Sequence, residues 1–183
     1  MKRTLMAQPE RAAGGESVEQ LFARYNALVL RTAYLVLGDW MQAEDVAQDV
    51  WLHVGQRLGD YDPARGAWTT WLHRITVNRC LNARRRLARW LLGGAQGGSA
   101  EPPPLQAALR GEEQRRIWQA VGGLSLKLRA AVVLRYFHDL SYEQIAEALG
   151  CPVGTVRSRL HAANAQLRAA LGDLAPAPDG GME

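Results

Sequence analysis

The stretch from Ser141 to Leu171 constrains this chain most. Ser141 is followed three residues later by Gln144, the pairing of a capping box, so a helix is predicted to start at Tyr142. Ile145, Ala146 and Leu149 recur at helical spacing, and Gly150 is placed to end the helix in a left-handed turn. Pro152 suits the first turn of a following helix, where a missing N–H costs little, which makes Cys151 the expected N-cap. Val156, Leu160, Ala163, Leu167 and Leu171 then step by three or four and form a stripe to be buried. Thr155, Ser158, Arg159 and His161 point elsewhere, with Arg157 near the boundary. Helix, tight turn and helix make a helix-turn-helix, whose second helix can lay its first turns in the major groove of DNA. Short hydroxyl side chains and arginines there can reach base edges and phosphates. Any helical hairpin has a polar outer face, but here caps, turn and face agree.

Charge adds a second constraint. The 183 residues carry a formal net charge of +4, a weak pointer to polyanions, but the distribution is uneven. No acid occurs from Arg65 to Ala100, where Arg65, Arg74, Arg79, Arg84, Arg85, Arg86 and Arg89 all fall. Just upstream, Asp39, Glu44, Asp45, Asp49, Asp60 and Asp62 are opposed only by Arg57. Such asymmetry predicts an acidic surface for a protein partner and a basic one for nucleic acid.

The two cysteines, Cys80 and Cys151, are far apart and lack metal-ligand spacing with His53, His73, His138 or His161. Reduced thiols, no metal and no cofactor are expected. Met1–Gly15 is polar, without the apolar core of a signal peptide. The longest apolar stretch, Ala27–Leu37, is broken by Arg31 and too short to span a bilayer. A cytoplasmic protein with no membrane insertion of its own is expected.

The fold class expected is all-α, with two small helical domains joined by a flexible linker. Ser17 can cap a helix over Val18–Leu37, with Leu21, Tyr25, Leu28, Thr32 and Leu35 on one face and Gly38 stopping it. Asp39 can cap a second helix from Trp40 to about Arg57, where Val46, Val50 and Val54 recur. Gly59–Pro63 reads as a turn. A third helix runs from about Ala67 to Trp90, packing through Trp68, Trp71, Leu72 and Ile75. Composition then changes to Gly, Ser and Pro, giving a boundary. The expected division is 1–15 disordered, 16–92 first domain, 93–108 linker, 109–172 second domain and 173–183 disordered. The second domain should hold helices around Gly111–Val121, Leu126–His138, Tyr142–Leu149 and Val153–Leu171. Extended, Leu92–Ala107 would reach roughly 50 Å, against about 34 Å per turn of B-DNA. A plain tether is the alternative reading of the same composition.

On the third helix Trp71, Arg74, Asn78, Asn82 and Arg85 step by three or four, so one face turns from aromatic to amide and cationic. Asparagine amides can bond base edges, arginines can bind phosphate, and indoles offer stacking surfaces. For Trp68 and Trp71 core packing is the favoured role. For Arg84, Arg85 and Arg86 a solvated helix end competes with DNA contact.

Together these residues resemble a known family. Gly38-Asp39, Ala43-Glu44-Asp45, Gln48 to Leu52, Tyr61 to Gly66, Thr70 to Ile75 and Asn78 look like region two of an extracytoplasmic-function sigma factor of the sigma-70 family. Leu124-Ser125, Arg129, Val133 to Tyr136, Leu140 to Ala146 and Leu149 to Leu160 look like its region four. The resemblance implies a bacterial RNA polymerase subunit, not an enzyme, that binds core polymerase and promoter DNA and assists melting. By carry-over Glu44, Asp45, Gln48 and Asp49 would dock on the polymerase clamp helices. Arg65, Trp68, Trp71, Arg74, Asn78, Asn82, Arg85 and Arg86 would serve the minus-ten element, the loop from Asp60 to Ala67 receiving a flipped base. Thr155, Arg157, Ser158, Arg159 and His161 would serve the minus-thirty-five element. An anti-sigma factor is an expected partner, and the chain an expected monomer. Ala162 to Gln166 depart from the family, which often carries more basic residues there.

Three rival readings stay open on the residues alone. A free-standing regulator would use the same helix-turn-helix, but no sensor or phosphoacceptor pattern precedes it. A DNA-acting enzyme would need an activated nucleophile or a carboxylate metal cluster; Asp45 and Asp49 lack a third ligand. A sigma-like adaptor would bind polymerase or anti-sigma factor without reading DNA.

Overall fold

The computed structural model describes residues 16–91 and 112–172. Seven α-helices are described: α1 Val18–Leu37, α2 Trp40–Arg57, α3 Trp68–Leu91, α4 Glu112–Gly123, α5 Leu126–Val132, α6 Tyr142–Leu149 and α7 Val153–Leu171. The expected linker, tails and outer domain boundaries fall largely outside the described residues.

Local chemistry sets the helix ends. Ser17 accepts from the Gln20 N–H while the Gln20 side chain accepts from the Ser17 N–H, and Ser141 and Gln144 repeat this reciprocal cap on α6. The Asp39 carboxylate caps α2 by accepting from the Gln42 N–H at 2.9 Å. Gly38 and Gly150 end α1 and α6 at φ +75° and +58°, a conformation that penalises any Cβ. After α6 the Gly150 N–H bonds the Glu147 carbonyl and the Cys151 N–H bonds the Ala146 carbonyl, a Schellman closure. One cap differs from expectation. Pro152, not Cys151, is the N-cap of α7, and its carbonyl accepts from the Thr155 and Val156 N–H groups. Proline's fixed φ suits that position as well as the first turn.

The helix expected over Leu126–His138 is α-helical only to Val132. It widens to a π-helical turn over Val133–Phe137, closed by the Leu140 N–H on the Leu134 carbonyl at 3.1 Å. Helices α1, α2 and α3 pack on one another, and α4, α5 and α6 pack around α7. The cores contain the expected Val46, Val50 and Val54 of α2 and Val156, Leu160, Ala163, Leu167 and Leu171 of α7. Asn164 is buried among them and donates from its side-chain amide to the Tyr136 hydroxyl at 3.0 Å.

The two halves also touch. Helix α6 packs on α3, and α5 on α1. This explains why Thr70, Trp71, Leu72, His73, Ile75, Thr76 and Val77 are all buried, on more than one side of α3. The Arg129 guanidinium fastens the contact. It donates to the Val36 carbonyl at the end of α1 (3.1 Å), to the Leu124 carbonyl (3.2 Å) and to the Gly122 carbonyl.

Candidate nucleic-acid and protein interfaces

The loop between α2 and α3 is built around one ring. Tyr61 lies edge-on to Trp68 at 5.1 Å and tilted against Trp71 at 5.7 Å, while the two indoles are 5.0 Å apart. Its hydroxyl donates to the Gly66 carbonyl at 3.1 Å, and Asp62 accepts from the Ala64 N–H at 2.9 Å to start a single 3₁₀ turn over Pro63–Arg65. The loop is therefore pinned at both ends. Burial, with Tyr25 and Asp62 adding to it, raises the Tyr61 phenol above its ordinary pKa. Sequence reading missed Tyr61 as the organiser; its signal was an aromatic residue inside a turn-forming run.

The described loop and helix place Arg65 and the polar ridge Asn78, Asn82, Arg85 and Arg86 at the surface, with Arg74 half-buried beside them. Arg85 donates to the Asn82 side-chain oxygen at 3.3 Å, one helical turn away. Trp68 is only 2 % exposed and packs in the core, the role favoured for it from the sequence, so the minus-ten role carried over to it from the resemblance finds no free ring face here. Trp71 is buried too, with an edge that lines a cavity of about 300 Å³ together with Asp60, Tyr61, Asp62, Arg65, Gly66, Arg74 and Glu147.

On α2, Glu44, Asp45 and Gln48 are exposed. Asp49 is half-buried and paired with Arg86 of α3 at 3.4 Å, so the acidic and basic faces meet at this ion pair. Beside the acids runs an apolar groove of about 640 Å³ between α1 and α2, lined by Phe22, Asn26, Leu30, Glu44, Ala47, Gln48, Trp51 and Leu52. Leu52 is 66 % exposed and Met41 60 %. Trp51 is fixed edge-on to Phe22 at 5.2 Å and donates its N–H to Asn26 at 3.0 Å. Glu44 brings a negative charge to the edge of this apolar groove. Charge reading found the acids but not the groove, because nothing in a charge pattern marks the apolar Phe22 and Leu52.

At the start of α7, Arg157, Ser158 and His161 are exposed and Thr155 and Arg159 half-buried. Ser158 donates to the Thr155 carbonyl at 3.0 Å, and Arg159 leans on the turn with a nitrogen 3.5 Å from the Cys151 sulfur. The five residues share one helix start, facing away from the buried stripe.

Where the halves meet, His73 of α3 and His138 face each other with ring centroids 4.2 Å apart. The Thr32 hydroxyl donates its proton to the Leu28 carbonyl at 2.7 Å, so at 2.9 Å it accepts from the His138 Nε2–H. Burial, then the other imidazole, pushes His73 down to about 3; burial, then Arg31, pushes His138 down to about 4. Burial raises the Cys80 thiol to about 12, which keeps it an unreactive thiol. Among the described residues no three His, Cys, Asp or Glu side chains gather to hold a metal, and no helix is long and apolar enough to cross a membrane.

Known proteins share both sequence and architecture. The Sigma-70 region 2 family matches residues 21–90 and the Sigma-70, region 4 family matches residues 114–167. The RNA polymerase sigma-H factor of Pseudomonas aeruginosa is 36% identical, over 80% of this chain and 86% of its own length. The ECF RNA polymerase sigma factor SigW of Bacillus subtilis is 30% identical, over 82% of this chain and 86% of its own. SigE of Mycolicibacterium smegmatis is 34% identical over 83% of this chain, which spans only 60% of that longer relative. In fold, the sigma factor RpoE solved with the anti-sigma factor NepR from Bartonella quintana superposes with a TM-score of 0.70 at 22% identity, covering 85% of this chain and 96% of that one. CnrH, solved with the cytosolic domain of CnrY, gives 0.62 at 26% identity, covering 89% and 94%. With a region 2 and a region 4 in this order, each folded as its own helical unit, the chain belongs to the extracytoplasmic-function sigma factors of the sigma-70 family.

Proposed function

We propose that this sigma factor divides promoter recognition between three surfaces. Exposed Glu44, Asp45 and Gln48, with the apolar groove beside them, would dock on cationic helices of core RNA polymerase. Arg65, Arg74, Asn78, Asn82, Arg85 and Arg86 would hold the minus-ten element, and the cavity behind Tyr61 would receive an unstacked base of the separated strand. Thr155, Arg157, Ser158, Arg159 and His161 would read the minus-thirty-five element from the major groove. The reading works without a catalytic centre, because promoter recognition and melting draw on binding free energy alone. It places the protein in the cytoplasm, where bacterial polymerase works, as a monomer. Relatives solved with anti-sigma factors support a similar partner for this chain.

One observation carries the reading most. An acidic, groove-bearing face and an acid-free polar ridge occupy neighbouring helices of one small unit, joined at the Asp49–Arg86 pair. The test is transcription by bacterial core polymerase on genomic fragments, including the one upstream of the protein's own gene. Defined transcripts that depend on this chain are expected. Core binding without any transcript would favour an adaptor, and absence of core binding would overturn the assignment of α2.

A further inference from the structure

The residues that α7 buries are Val156, Leu160, Ala163, Leu167, Leu171 and one polar side chain, Asn164. Only 4 % of Asn164 is exposed. An amide taken out of water costs free energy unless it is bonded. Its nitrogen donates to the Tyr136 hydroxyl at 3.0 Å, and its oxygen lies 3.4 Å from the same hydroxyl. Tyr136 stands in the π-helical turn that follows α5, and α5 packs on α7. Apolar contacts are non-directional, so Val, Leu and Ala side chains hold α7 against α5 while tolerating small rotations about its axis. A hydrogen bond weakens steeply with angle and does not. Asn164 lies seven residues beyond exposed Arg157, which at 3.6 residues per turn brings it to within about 20° of Arg157 around the helix. The polar tie is therefore at the edge of the buried stripe that borders the proposed DNA-reading face. A roll of about 20° carries a Cα by roughly 0.8 Å, and the tip of an arginine by more. A working recognition site is held within about 0.5 Å.

We propose that the Tyr136–Asn164 pair fixes the roll of α7 and so determines which base edges Arg157, Ser158 and His161 meet, which makes Asn164 a positioning residue for minus-thirty-five specificity that touches no DNA. The proposal rests on the minus-thirty-five assignment of α7. A single polar side chain in an otherwise apolar seam can select one register at a cost in stability. Phosphate contacts hold the protein on the duplex without carrying sequence, so the roll acts on discrimination between sequences more than on total affinity.

The experiment uses the full chain with bacterial core polymerase. The parent first selects from a pool of DNA duplexes randomised across an upstream window. Binding is then measured to a duplex carrying the recovered motif and to one with that motif scrambled. The parent should prefer the motif. In the double variant Tyr136→Phe/Asn164→Leu both polar partners become apolar ones of similar size, an exchange close to neutral for stability. Its circular dichroism and urea midpoint should match the parent's. Its preference for the motif should fall by about tenfold, as for the loss of one base contact, with binding to the scrambled duplex unchanged. Should the double variant fail to fold, Tyr136→Phe alone, at a position 37 % exposed, should lower the preference by less. A folded variant that keeps the parent's preference overturns the proposal, and so does an equal loss on both duplexes, which a merely structural pair would give. A parent without any preference overturns the minus-thirty-five assignment itself, and the proposal with it, so the two failures are distinct results.

Discussion

Acidification should destabilise this protein through two histidines that touch each other across its halves. His73 and His138 are held neutral, at about 3 and about 4, against an ordinary value of 6.5. Unfolding returns both to water, where each takes a proton near 6.5. A native pKa below the unfolded one means that the unfolded chain binds more protons as pH falls, so their contribution is full above 6.5. It is lost on the way down, until about 4 for His138 and about 3 for His73. At pH 5.0, about 1.5 units below the unfolded value, each histidine costs about 2 kcal/mol at ~1.36 kcal/mol per unit. The pair therefore removes up to about 4 kcal/mol, a large part of the ~5–15 kcal/mol that holds a typical domain. Arg31 of α1 works in the same direction on His138. The assay is urea unfolding between pH 7.5 and 5.0, comparing the parent with the double variant His73→Phe/His138→Gln, whose glutamine can still donate to Thr32. His53, also held low by burial with Arg79 and Arg57, is common to both proteins and cancels in the comparison. The parent should lose up to about 4 kcal/mol more than the variant over this range. Parallel pH profiles would refute the claim that these imidazoles stay neutral in the folded state.

Other outcomes can be checked with the same purified protein. Gly150→Ala should cost about 1–2 kcal/mol in urea unfolding, because φ is +58° and no atom crowds the new methyl, leaving backbone strain alone. Ser141→Ala should cost about 1 kcal/mol by removing the reciprocal cap of α6. Alkylation at pH 8 should label Cys151 well before Cys80, whose thiol burial holds at about 12, and denaturant should abolish the difference in mass-spectrometric readout. Asp45→Lys should weaken core polymerase binding in a pull-down without changing the melting temperature by more than a degree or two, since an exposed substitution changes stability by about 0.5 kcal/mol or less.

Helix ends were legible because they are local events. Ser17, Gly38, Asp39, Ser141 and Gly150 each carry their own backbone chemistry, and each stands where that chemistry predicts. The polar ridge of α3 and the start of α7 were legible from helical spacing. What escaped was everything decided between elements. A proline tolerates both the N-cap and the first helical turn, so Pro152 could not be placed by residue type. Periodicity gave α3 one packing face, because nothing in a Gly- and Pro-rich linker says that the halves will pack. Hence His73, Thr70 and Thr76 went unnoticed as core residues. Trp68 and Trp71 were legible as core residues, because large aromatic side chains at the start of a helix bury more readily than they stay exposed, and both are buried.

Where a partner needs the halves apart, the packing of α6 on α3 would also set a threshold. A partner that needs the halves apart binds with its intrinsic affinity divided by the fraction of chains already open, so a chain open about once in a hundred binds about a hundredfold more weakly. Responsiveness would then be tuned by residues that touch neither promoter nor polymerase. Substitutions at Thr32, Arg129 or His138 that loosen the seam while sparing the fold would raise output at low protein concentration, and selection for hyperactive variants would find them in the interior.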